Sequence, residues 1–241
     1  MTNTVYACRP EYLGWGPWKP ISWLGSNNDV FEDMGSDTIP RPRPDLDEVL
    51  DALPAGVPVG INFERFTANG SGYKFLDWFE HRNEAEFIYE SLVNRLTTRR
   101  PDLDFMLYTM PAGEIGWVTK DDAYPAAIAE REVALAKITT GLSHATISAY
   151  WNYHDSHSGW DTWRRRMDYR IALASTIHNK PIRAFVWDSG GGWKKPMPYD
   201  KLRMVLKYLE ARDIEVVYWS KEYDVNWTTR LALGQYALGV L

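Results

Sequence analysis

Val57-Pro58-Val59-Gly60-Ile61-Asn62-Phe63-Glu64-Arg65 is the stretch around which the remaining sequence arranges itself. It reads as a short buried strand that ends in a carboxylate. Side chains alternate across a strand, so Gly60, Asn62 and Glu64 share one face while Val59, Ile61 and Phe63 share the other. The apolar face suits packing against helices. The opposite face passes from no side chain to an amide to an acid, as the inner wall of an α/β barrel does where it opens into a pocket.

Outward from this strand, strand and helix patterns alternate about six times. Strands are expected over 4–8, 57–65, 104–110, 145–151, 181–187 and 214–219. Asp45 is placed to cap a short helix over 46–53. Phe87, Leu92, Val93 and Leu96 mark one side of the next helix, with Arg95, Arg99 and Arg100 near its end, where cations suit the dipole. Ile128, Val133, Leu135 and Ile138 mark a helix over 126–140, closed by Gly141. Asp161 is read as the cap of a helix over 162–177, and further helices are expected over 199–212 and 228–238. With no break in composition, the pattern is that of a parallel α/β domain.

No Gly-x-Gly-x-x-Gly follows the first strand, so a dinucleotide fingerprint is absent. The polar residues collect after the strands, where barrels and open α/β sheets place their sites. Several separate strand ends carry candidate residues, which favours a barrel. The expected fold is therefore a single TIM-like (β/α) barrel domain over 1–241, irregular or with fewer than eight strands. A long Trp/Pro/Gly-rich loop at about 9–44 belongs to it, and one or two further strands are expected there or near 115–118.

Composition sets the bounds on function. Hydrophobic residues at 45% and charged residues at 24% are ordinary globular values. The net charge of −5 argues against a general nucleic-acid binder. The lone cysteine, Cys8, excludes an internal disulfide and a Cys-based zinc site, and reads as a small buried residue. No run approaches a membrane span, and residues 1–10 show no signal-peptide pattern. Secreted, cytoplasmic and virion settings all stay open, as does the oligomeric state. Aromatic content is unusual, with 12 Trp and 14 Tyr. Trp15, Trp18, Trp23, Trp117, Trp160, Trp193 and Trp227 lie beside loop-type residues, either as exposed faces for sugars or bases or as pins for long loops.

Projected alternation places Asn62 and Glu64, Tyr108 and Met110, Tyr150 and Asn152, Asp188, and Tyr218 on inward faces. This set is rich in carboxylates, amides and phenols, and suits a neutral polyhydroxylated ligand without a cofactor. Glycoside hydrolysis needs one carboxylic acid to protonate the leaving oxygen and a second group at the reacting centre. Glu64 is the candidate acid, with its pKa raised by nearby rings; the alternative is a structural ion pair with Arg65 or Arg9. Asp188 is the candidate second carboxylate, or else a turn residue before Ser189-Gly190-Gly191-Gly192. Glu114 and Glu222 are weaker candidates.

Trp187, Trp193 and Trp219 are expected to stack on sugar rings. His154, Asp155 and His157 read either as a surface turn or as metal ligands. The glycine run, with Lys194 and Lys195, lacks P-loop spacing. Arg164-Arg165-Arg166 reads as a solvated helix face.

The stretch from Val59 to Phe66 resembles the Asp-Trp-Glu strand of hyaluronidase-type glycoside hydrolases. Arg99-Arg100-Pro101, then Phe105-Met106-Leu107-Tyr108 and the turn at Pro111, are similar to the unit that follows in that family. The resemblance covers about residues 58–111. It implies a barrel in which Glu64 donates the proton and Tyr108 and Tyr150 line the sugar site. It also implies that the substrate's own acetamido oxygen is the nucleophile, assisted by an Asp two residues before the acid. Here that residue is Asn62, which can hydrogen-bond an acetamido group but supplies no negative charge. The family's cysteines are absent as well. The expected activity is cleavage of a glycan by carboxylate general-acid catalysis. The alternatives are a non-catalytic glycan-binding or structural barrel within a larger assembly, and a metal-dependent hydrolase built on the two histidines.

Overall fold

The computed structural model describes residues 3–7, 18–24, 30–32, 39–62, 66–67, 76–108, 126–151, 159–187, 197–219 and 227–240. The strands in chain order are β1 Val5–Ala7, β2 Lys19–Pro20, β3 Ser22–Leu24, β4 Val59–Asn62, β5 Phe66–Thr67, β6 Leu76–Asp77, β7 Phe105–Tyr108, β8 Ala145–Ser148, β9 Ile182–Trp187 and β10 Glu215–Trp219. The helices are α1 Leu46–Asp51, α2 Arg82–Arg99, α3 Ala126–Ile138, α4 Gly159–Leu173, α5 Tyr199–Glu210 and α6 Trp227–Leu238. A π-helical turn, Ala174–His178, continues α4. Strand and helix alternate as the sequence pattern predicts.

Every strand ladder is parallel. One sheet runs β2–β1–β10–β9–β8 and a second runs β3–β4–β7, with β5–β6 as a separate short pair. Only Ile21 separates β2 from β3, so the two larger sheets continue into one another through a single crossing chain. The circuit therefore passes β1, β2/β3, β4, β7, β8, β9, β10 and back to β1. Among the described residues it has seven staves and one seam, between β7 and β8, where no ladder forms. The Thr146 hydroxyl donates to the Leu107 carbonyl across that seam. This is an irregular parallel α/β barrel with fewer than eight staves, and β2 and β3 are the strands expected within 9–44.

Alternation sorts the staves into two faces. Val5, Ile147, Ala184 and Val216 face outward beneath Trp163, Met167, Leu202 and Leu206 of the helices. Val59, Ile61, Phe105 and Leu107 do the same beneath Tyr89, Leu92, Leu96 and Leu135. Each such Val, Ile, Leu, Met or Phe side chain stabilises the wall by about 1.5–3 kcal/mol on burial. A third, smaller cluster fills the barrel itself: Tyr6, Ile21, Met106, Tyr108, Tyr150, Phe185, Trp187 and Val217.

The helix readings need correction in detail. On α2 the buried stripe is Ala85, Ile88, Tyr89, Leu92, Val93 and Leu96. Phe87 lies off that stripe and is 69% exposed. On α3, Val133 is also exposed, while Arg131 and Glu132 are buried and the Arg131 guanidinium donates to Glu132 at 3.0 Å. A buried charge pair thus takes the face that the apolar pattern assigned to Val133. Helix α4 begins at Gly159, so Asp161 sits inside its first turn and is not its cap. Asp45 stands at the N-cap position of α1 but makes no cap bond; its carboxylate accepts two bonds from Arg43 instead, at 2.8 and 2.6 Å.

Candidate active site

The inside of the barrel changes character from one end to the other. At the N-terminal end of the strands, Arg183 enters from β9 opposite Glu215 of β10, its register partner. Its guanidinium donates to Glu215 at 2.7 Å, to Asp104 at 2.5 Å and to the Tyr6 hydroxyl at 3.2 Å. It also lies over the Tyr6 ring, 4.7 Å from its centroid. Ser143 donates to the same Asp104 carboxylate, and His144 lies 3.7 Å from it. Burial alone would raise the Asp104 carboxyl, but His144, Ser143 and Arg183 outweigh it and hold it well below the usual carboxylate range. Arg183 is raised above its ordinary value despite its burial, because Glu215 and Asp104 favour the charged form. These six groups form one connected network around Arg183 and Asp104, and this end is a plug.

One layer higher the interior is apolar. Phe185 pairs with Val217 across β9 and β10, and Gly60 stands between Trp23 and Met106. Trp23 reaches Phe185, with ring centroids 5.9 Å apart at 72°.

At the C-terminal end the wall is aromatic. Tyr108 packs edge-on against Phe185 at 4.9 Å and against Trp23 at 5.7 Å. Tyr150 lies 6.2 Å from Tyr108 and 5.2 Å from Trp187. Offset and edge-to-face rings of this kind hold one another's orientation as well as burying area. The Trp163 indole donates to the Tyr150 carbonyl at 3.3 Å, fixing the backbone just beyond β8. Trp151 in turn stacks on Trp163 at 5.7 Å and 19°. The backbone of Asn62 pairs with Tyr108, and that of Trp219 with Trp187, so both strand ends belong to this rim.

The structure thus brings Tyr108, Tyr150 and Trp187 together at one mouth, with the chain at Asn62 and Trp219 beside them. Tyr218 is not among them. The pairing of Val217 with Phe185 and Tyr6 turns Val217 inward, and alternation turns Tyr218 outward. It is fully buried in the helix-facing core, 6.1 Å from Trp18. Trp18 is buried as well, which fits its alternative as a pin for the long loop and not as an exposed face. Glu64, Asp188, Asn152 and Trp193 lie outside the described residues, as do Cys8, Glu114, Glu222, His154, Asp155, His157 and the glycine run. Among the described residues no group of three or more metal-ligating side chains comes together, and no helix is long and apolar enough to cross a membrane.

Two features of the interior escape the sequence reading. Trp23 enters the lumen from a three-residue strand in a segment that reads as loop. The plug was signalled by Arg183 inside an otherwise apolar strand, on the same alternate face as Phe185 and Trp187.

The architecture is that of an irregular TIM-like (β/α) barrel with an aromatic C-terminal end. Comparison with solved structures finds the same fold. Bee venom hyaluronidase is similar over 98% of this chain and 97% of its own, with a TM-score of 0.68 and 12% identity. A structure of bee venom hyaluronidase in complex with a hyaluronic acid tetramer is similar over 98% of this chain and 96% of that one, with a TM-score of 0.66. No protein-family model matches the chain, and comparison with curated proteins finds no match.

Proposed function

We propose that this chain binds a glycan across the mouth of the barrel and hydrolyses it, with Glu64 as the general acid. The observation that carries the reading is the rim of Tyr108, Tyr150 and Trp187 around the C-terminal end of β4. Glu64 follows that strand by two residues in the sequence, the spacing at which strand alternation would assign it to the face of Gly60. Flat rings suit the apolar faces of sugars, and a carboxyl beside them is raised by desolvation toward the protonated form a general acid needs. Support also comes from the bee venom enzyme of the same fold, which is known in complex with a hyaluronic acid tetramer.

In the reaction Glu64 gives its proton to the glycosidic oxygen as the bond from that oxygen to the anomeric carbon breaks. Asp188, or the substrate's own acetamido oxygen held by Asn62, stabilises the positive charge that develops there. Water then adds its oxygen to the anomeric carbon, and its proton returns to the Glu64 carboxylate. Trp193, Asn152 and Trp219 complete the ligand contacts. The test pairs binding of a hyaluronic acid tetramer with release of reducing ends from hyaluronic acid. Wild type is expected to do both, and Glu64→Gln to bind without cleaving.

A second reading has its own observation. Asn62 stands where a substrate-assisted site of the hyaluronidase type carries an Asp, and that favours a barrel that binds a glycan without cleaving it. Binding by wild type with no turnover, unchanged in Glu64→Gln, would establish that reading.

A further inference from the structure

Gly60 and Trp23 form a matched pair in the lumen, adjacent in register on β4 and β3. A Cβ at Gly60 would lie 2.5 Å from Cε3 and 2.6 Å from Cζ3 of Trp23, and 3.4 Å from Cδ1 of Ile21. The first two distances are well inside van der Waals contact, so any side chain at position 60 would have to displace the indole. Gly60 is not among the residues with positive φ; space, not backbone freedom, calls for glycine here. The missing side chain forms a notch, and the indole seated in it reaches both Tyr108 and Phe185. Phe185 and Val217 beside it are fully buried, whereas Trp23 keeps partial exposure. It is thus the ring in this layer that stays open to solvent, and it touches the rim through Tyr108.

We propose that Trp23 is a specificity-determining residue: the floor on which the apolar face of a ligand's pyranose ring rests, with Gly60 as the residue that positions it. The inference rests on the glycan reading of the mouth. The chain of rings Trp23–Tyr108–Tyr150–Trp187 then joins floor and rim. A displaced indole changes both the depth of the site and the orientation of Tyr108.

The test is titration of a hyaluronic acid tetramer into wild type, Gly60→Ala, Trp23→Phe and the double variant, with Tm measured for each. Gly60→Ala is expected to weaken binding about tenfold, as one added methyl against a filled pocket does. Trp23→Phe removes the ring atoms that the new methyl meets. The double variant should therefore bind more tightly than the two single losses sum to, the non-additivity of residues in contact. A Gly60→Ala variant that lowers Tm while leaving the Kd unchanged overturns the proposal. Should Gly60→Ala not fold, Trp23→Phe alone decides: about tenfold weaker binding supports the floor, and an unchanged Kd removes it. A wild type that binds no tetramer removes the glycan reading and this inference together. A wild type that binds, with Trp23→Phe indistinguishable from it, removes the inference alone.

Discussion

The two ends of the barrel are built from the same staves and differ in what those staves carry. At the lower end β9 and β10 place Arg183 against Glu215, with Asp104 and Tyr6 closing the set. Four residues higher on β9 is Trp187, and Tyr108 and Tyr150 face it at the rim. The lower groups are joined by ion pairs and hydrogen bonds. The upper rings pack on one another in tilted and edge-on contacts. Ionic closure belongs to one end and ring packing to the other; the contrast assigns stability to the plug, and under the proposed function recognition falls to the mouth.

The division is broken most severely at Arg183. Its side chain is 4% exposed and faces two carboxylates. Arg183→Met leaves both without their partner and is expected to cost about 3 kcal/mol, read by urea unfolding. If the mouth alone mattered, the loss would be small. Acid sharpens the same contrast. Asp104 titrates near 3.9 in an unfolded chain and well below that when folded. Its contribution is therefore fully present above about pH 4 and is lost as pH falls through the folded value. Asp104→Asn should be less stable than wild type at pH 7 and should lose less on going to pH 2, whereas Trp187→Phe should follow the wild-type acid curve. Thr146→Val removes the side-chain bond across the seam and is expected to cost about 1 kcal/mol. Phe87→Ser should stay within about 0.5 kcal/mol of wild type, since that ring is 69% exposed.

The alternation of strand and helix was legible because each stave is a short apolar run followed by a turn. The register of β4 was legible for the same reason: Val59 and Ile61 are buried outward and Gly60 faces Trp23. Trp23 was not, because β3 is three residues long and lies in a Gly/Pro/Trp-rich segment with no periodicity to read. Tyr218 was misplaced because alternation projected along β10 alone does not say which of the two faces is inward. Its face is set by Val217, whose partners on β1 and β9 no single strand reveals. The plug was hidden for a related reason: Arg183 and Glu215 lie on β9 and β10 while Asp104 precedes β7, and only the folding of the staves around one interior joins them. On α3 the buried Arg131–Glu132 pair reversed the usual meaning of charge, and no hydrophobic pattern records two buried charges that face one another.

We infer that the aromatic mouth serves a carboxylic acid, Glu64, two residues beyond β4 in the sequence. Turnover of hyaluronic acid by Glu64→Gln, measured beside its Tm and its affinity for the tetramer, tests this most directly. The expected result is a fall in kcat of about 10²–10⁴-fold, with Tm and affinity both close to wild type. Full turnover by Glu64→Gln would contradict it.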